Sequence, residues 1–143
     1  MIQIKCGSPA YKIIMLLLIT GEFPFRSLGI LGNERWFKAT AVRMTQYQDV
    51  RMMESGKCYR CKLITISGKS NLRTIRLCRS SFELISEEMA DLLSNYMIDT
   101  YGHRFHGQER ITERNHRIAE VSLVCMRSGI ECRTHLIPRL QKQ

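Results

Sequence analysis

The period of the apolar residues changes from helical to alternating near residue 59. From there Tyr59, Cys61, Leu63 and Thr65 alternate with Arg60, Lys62, Ile64 and Ile66. In the following run Leu72, Thr74, Arg76 and Cys78 alternate with Arg73, Ile75 and Leu77. A period of two belongs to a strand. The runs are joined by Ser67-Gly68-Lys69-Ser70-Asn71. Glycine and asparagine both accept positive φ, so residues 59–78 predict a β-hairpin.

Three helical patterns come first. Residues 10–20 are apolar nearly all round and too long for an ordinary strand, which predicts a buried helix stopped by Gly21. Pro24, whose missing N–H is not needed in a first turn, opens a short helix over residues 25–31 that Gly32 ends. Asn33 is a good N-cap, and Glu34 complements the dipole of a third helix reaching about residue 47. Its buried stripe is predicted as Trp36, Phe37, Thr40, Ala41 and Met44, with Arg35, Lys38, Arg43 and Gln46 largely outside it. A polar, basic face is thereby left free. Residues 48–56 read as turn-like.

The charge is unevenly spread. Of a formal net charge of +9, residues 51–80 hold eight Lys or Arg against one acid, and residues 81–100 hold five acids and no Lys or Arg. Such a directional field suits a polyanion better than it suits general solubility. With 143 residues, 44% of them hydrophobic and 24% charged, the chain is long enough for one folded domain, or a small domain and part of another. The apolar run at residues 13–19 falls far short of the ~20 residues that cross a bilayer, and no small-x-small cleavage site follows it, so no membrane partner is expected. Six cysteines in otherwise ordinary apolar or strand-like surroundings read as free thiols. These features together predict a cytoplasmic, nucleoid-associated location.

Beyond the hairpin, Ser80 and Ser81 are placed to cap a helical segment from Phe82. Ser86, Glu87 and Glu88 begin another that reaches about residue 100 and closes at Gly102. A polar loop over residues 103–108 leads to a long helix over 111–128, with Ile118, Ala119, Ser122, Cys125 and Met126 near one face and Gly129 after it. A terminal strand over 130–137 ends at Pro138. The expected class is therefore α+β: a winged helix-turn-helix of three helices plus a β-hairpin wing, followed by further helices and a terminal strand. The boundaries are 8–81 for a DNA-binding domain and 82–143 for a helical extension that opens a truncated second domain.

In this order the chain resembles the replication-relaxation family of bacterial mobile-element proteins, which begin with a winged helix. The likeness rests on residues 11–22 as first helix, 24–31 and 33–47 as the helix pair and 63–77 as the wing. It continues in Arg114-Asn115-His116-Arg117-Ile118-Ala119-Glu120 leading into Met126-Arg127-Ser128-Gly129-Ile130. It covers roughly residues 10–135, sharpest in the His-x-x-Ala block and its Gly-Ile ending; residues 48–56 have no counterpart in it. The resemblance implies DNA binding connected with replication, relaxation or transfer of plasmids and integrated elements. Family members usually continue well past the His-x-x-Ala helix, which implies a shortened copy here.

The chemistry-bearing residues sort accordingly. In a winged module Arg35, Lys38, Arg43 and Gln46 would meet base edges and phosphates, while Lys69, Arg73 and Arg76 would contact backbone or minor groove of double-stranded DNA. Cys58 and Cys61 with His103 and His106 have the count of a four-ligand zinc set, but residues three apart on a strand point to opposite faces, so no metal is assigned. Glu113, His116 and Glu120 share a helical neighbourhood in which His116 is expected to pack or hydrogen-bond at an interface. No nucleophile elbow is present, and Gly68-Lys69-Ser70 lacks the upstream glycine of a phosphate loop. The preferred reading is a non-enzymatic DNA-binding protein without cofactor. The alternatives are the DNA-binding front of a nuclease or relaxase-like enzyme, or an interaction module that dimerises through the helix at 111–128.

Overall fold

The computed structural model describes residues 1–98 and 109–128, which form a mixed α+β structure. Strand β1 (Ile2–Ile4) is followed by helix α1 (Pro9–Thr20), strand β2 (Glu22–Pro24), a 3₁₀ segment (Phe25–Leu31) and helix α2 (Glu34–Met44). Strands β3 (Gln48–Met52), β4 (Cys58–Cys61), β5 (Ile64–Ser67) and β6 (Thr74–Leu77) come next, then helices α3 (Phe82–Glu88), α4 (Ala90–Tyr96) and α5 (Glu109–Arg127). The expected strand at 130–137 and the loop at 103–108 lie outside the described residues.

Helix α1 begins and ends as its sequence requires. The Ser8 hydroxyl accepts from the Tyr11 N–H, Pro9 takes the first turn, and Gly21 closes the helix at φ 83°, donating to the Leu17 carbonyl. Ile13, Ile14 and Leu17 have no exposed surface. At roughly 1.5–3 kcal/mol for each buried side chain of this size, such an all-round apolar helix is stable only with neighbours on every side. It has them in α2, α4, α5, β2 and β6. One core cluster joins these residues to Leu84, Ile85, Tyr96, Ala119 and Leu123, so the apolar interior continues across residue 81.

The strands make two three-stranded sheets. In the first, β1 runs parallel to β3, and β3 pairs antiparallel with β4; in the second, β6 lies between β2 and β5, all antiparallel. This divides the predicted hairpin. Its first strand breaks at Lys62 and Leu63, leaving Cys58–Cys61 in the first sheet and Ile64–Ser67 in the second. The alternation loses phase there because Leu63 and Ile64 are both buried. Two fastenings fix the break. The Leu63 N–H donates to the Met44 carbonyl, and the Ser80 hydroxyl both accepts from the Lys62 N–H and donates to its carbonyl. Residues 48–56, read as turn-like, contain β3, whose Val50 and Met52 point inward.

Helix α2 stops at Met44, three residues short of expectation. Thr45 Oγ1 donates to the Val42 carbonyl at 2.6 Å and Gln48 Nε2 to the Arg43 carbonyl at 2.6 Å, so side chains take the carbonyls that another turn would have used. Its buried stripe is Phe37, Ala41 and Met44. Trp36, one position out of that i, i+4, i+7 row, is 67% exposed, not buried. Helix α3 begins at Phe82 as expected but without a serine cap, the Ser81 hydroxyl donating to the Cys78 carbonyl and that of Ser80 bonding Lys62. The next helix starts at Ala90 after Met89 leaves helical geometry at φ −141°.

Candidate nucleic-acid interface

Asn33 sets the direction of α2, its Oδ1 accepting from the Trp36 N–H at 3.1 Å. The solvent side of the helix then carries Arg35, Trp36, Ala39, Val42 and Arg43, with Gln46 just past its end. Lys38 is half-buried: its Nζ lies 2.6 Å from Glu34 and 5.7 Å from the centre of the Phe25 ring. The Arg73 guanidinium lies 4.6 Å from that same ring, and the Phe25 N–H donates to the Arg73 carbonyl at 2.9 Å. Phe25 thus fastens the third helical segment to the hairpin, and each cation over its face gains roughly 0.5–1 kcal/mol. Sequence reading gave Phe25 no such role, because ring contacts across 48 positions leave no periodic trace.

At the hairpin tip a glycine is required. Gly68 has φ 90°, and a Cβ there would meet the Leu72 carbonyl oxygen at 2.5 Å. Ser70, not Asn71, holds the second positive φ, at 51°. Lys69 and Arg73 are exposed beside this turn.

Arg76 is placed differently from the expectation. Its Nε and Nη2 each lie 2.7 Å from Oε2 of Glu22, a side chain that is almost wholly buried, so this cation is committed inside the fold and not to a ligand. The reason is register: Glu22 and Arg76 are cross-strand partners of β2 and β6. Asn115 on α5 completes the group, donating from Nδ2 to Glu22 Oε1 at 2.7 Å. At the next position along, His116 Nε2 lies 2.7 Å from Thr74 Oγ1. Because that hydroxyl already donates to the Leu72 carbonyl at 2.8 Å, it accepts from histidine, which assigns the proton to Nε2. Nδ1 is buried without a hydrogen-bond partner. Burial holds the His116 pKa below its ordinary 6.5; Arg26 and Arg76 push the same way, against Glu22 and Glu120. The interfacial role expected of His116 is therefore met, while Glu22 and Asn115 were missed.

Two further basic residues of 51–80 are paired within the fold. Arg60 is 3.1 Å from Asp49 and stacks on Tyr47 at 5.3 Å, and Lys57 reaches Glu87 at 3.7 Å. The Tyr59 hydroxyl donates to Glu87, and burial followed by these carboxylates drives its pKa upward. Glu87 and Glu88 of α3 thus face Ser55, Lys57 and Tyr59.

Only the cysteine half of the Cys58, Cys61, His103, His106 set falls among the described residues. Cys58 is exposed and Cys61 buried, as alternation along β4 dictates, and burial pushes the Cys61 thiol up to about 11. His103 and His106 lie outside the described residues, and among the described residues no group of three or more His, Cys, Asp or Glu is set to hold a metal. No described helix is long and apolar enough to cross a membrane. Comparisons with protein-family models, with curated proteins and with solved structures give no match to this chain.

Proposed function

We propose that this chain binds double-stranded DNA as a winged helix-turn-helix, with α2 entering the major groove and the hairpin between β5 and β6 gripping the backbone. The observation that carries the proposal is the Phe25 ring shared by Lys38 of α2 and Arg73 of the hairpin, which brings the two cationic elements into one neighbourhood. The strand after α1 also pairs with the return strand of the hairpin, the arrangement a winged module needs to brace its wing against its helices. Arg35 and Arg43 read or position, Gln46 lies beside them, and Lys69 with Arg73 supplies phosphate contacts. Arg76 drops out of the contact set. The resemblance of the sequence supplies the biological setting: an accessory or regulatory factor in the replication, relaxation or transfer of a bacterial mobile element.

A titration against duplex DNA at several salt concentrations tests this. Four cations, Arg35, Arg43, Lys69 and Arg73, each releasing a counterion, give a slope of log affinity against log salt of about −3.6, from roughly −0.9 per phosphate, Lys38 being already paired with Glu34. Absent or salt-independent binding would sink the proposal. A second reading is favoured by one observation, the exposure of Trp36 and Val42 on α2 and of Val121 and Val124 on α5. A module that holds a protein, or dimerises through α5, would show a dimer by light scattering and no affinity for DNA.

A further inference from the structure

A cleft of about 630 Å³ opens between the hairpin tip and α5, lined by Arg26, Lys69, Asn71, Glu113, Arg117 and Glu120 among others. Its volume lies within the roughly 300–1,000 Å³ typical of small-ligand sites. It shares Lys69 with the hairpin's proposed phosphate contacts but includes no residue of α2. The 3₁₀ segment supplies Arg26, the turn supplies Lys69 and Asn71, and one side of α5 supplies residues 113, 117 and 120 at spacings of four and three. Among the described residues, no ion pair within 4.0 Å joins Arg26, Lys69 or Arg117 to any carboxylate. Three cations facing one concavity repel one another and gain from an anion placed between them. Two planar guanidinium groups and a lysine lining one cleft are donors that phosphate oxygens accept from well.

The two carboxylates define the rest of the ligand. Glu113 and Glu120 line the same cleft, and being acceptors only they favour a ligand that brings N–H or O–H donors. Inorganic phosphate carries its few O–H groups on the same small ion that the cations hold, whereas a nucleotide carries a phosphate at one end and amino or imino N–H groups on its base at the other. We propose that this cleft is a nucleotide site, with the phosphate held by Arg26, Lys69 and Arg117 and the base edge donating to Glu120, the less exposed of the two carboxylates that flank Arg117 on α5. The nucleotide is either free or the phosphorylated end of a single strand. The site goes beyond duplex binding by α2 and does not depend on it.

The test uses the full chain in calorimetric titrations with three probes: guanosine 5′-monophosphate, inorganic phosphate, and a short 5′-phosphorylated single strand. The monophosphate is expected to bind, and Arg117→Glu and Arg26→Ala are each expected to weaken it by about tenfold or more, the size of one lost charged contact. Both positions are exposed, so neither change threatens the fold. Arg35→Ala and Arg43→Ala on α2 leave this binding unchanged and lower only duplex affinity, which separates failure of this site from failure of the duplex reading. Glu120→Ala weakens the monophosphate while leaving inorganic phosphate equal or tighter. Equal affinity for monophosphate and strand identifies the free nucleotide as the source, and a strand more than tenfold tighter identifies the strand end. The proposal is overturned if no probe binds at millimolar concentration, if Arg117→Glu and Arg26→Ala leave binding unchanged, or if Glu120→Ala tightens the monophosphate as it does phosphate.

Discussion

The two faces of the second sheet are held by different physics. One face aligns Phe23, Ile75 and Ile66 in one cross-strand row and Ile64 with Leu77 in the next, and belongs to the apolar core. The other aligns Glu22 with Arg76 and Pro24 with Thr74, and receives Asn115 and His116 of α5 through hydrogen bonds. Apolar contact is non-directional and tolerates sliding, whereas a carboxylate taken from one side by arginine and from the other by asparagine fixes one register of α5 on the sheet. The core face makes the domain stable. The polar face sets where α5 sits, and with it the cleft beside the hairpin.

Truncating the core face has the largest expected consequence. Phe23 is fully buried, and Phe23→Ala costs about 3–5 kcal/mol through lost transfer energy and the cavity left behind, read as a lower urea midpoint. On the polar face, Glu22→Gln keeps the shape but turns the charged bonds to Arg76 into neutral ones. Arg76 retains a quarter of its side-chain surface in water, which limits the cost to about 2 kcal/mol. The two variants also differ in where they act. Hydrogen exchange in Phe23→Ala rises throughout the core, while in Glu22→Gln it rises first in α5. Uniform exchange in both would erase the distinction between the faces.

The sequence disclosed the parts of this molecule that repeat and concealed those that depend on pairing. Residues 10–20 were legible because all-round apolarity over eleven positions has one outcome, and Asn33 because capping is a local act. The Lys62–Leu63 break was not, since its cause is a hydroxyl on Ser80, 18 positions on. Nor was strand β3, which offers only Val50 and Met52 as inward residues and owes its existence to neighbours on both sides. In the candidate interface the cations on α2 were visible as a face. Arg76 was misassigned because a cation drawn inward by Glu22, 54 positions earlier, looks in one dimension like any other basic residue of an alternating strand.

The smallest expected effect isolates the polar face alone. His116 is neutral where it sits, donating from Nε2, and protonation would place a second N–H on the buried Nδ1, which has no acceptor. Glu22 and Glu120 favour the charged ring, but burial, Arg26 and Arg76 oppose it and prevail, so the folded pKa is lowered. The sign follows from proton counting. Above about pH 6.5 the ring is neutral in both states and stability is untouched, while below it the unfolded chain takes up a proton that the folded chain resists. Stability is therefore lost as the pH falls through 6.5 towards the folded pKa. Urea midpoints at pH 7.5 and 5.5 should draw together in His116→Gln, which keeps a donor for Thr74 and removes the titration. A wild-type midpoint that rises on acidification relative to His116→Gln would mean that the carboxylates govern this seam, and that α5 is fastened by charge instead of by the neutral histidine bond.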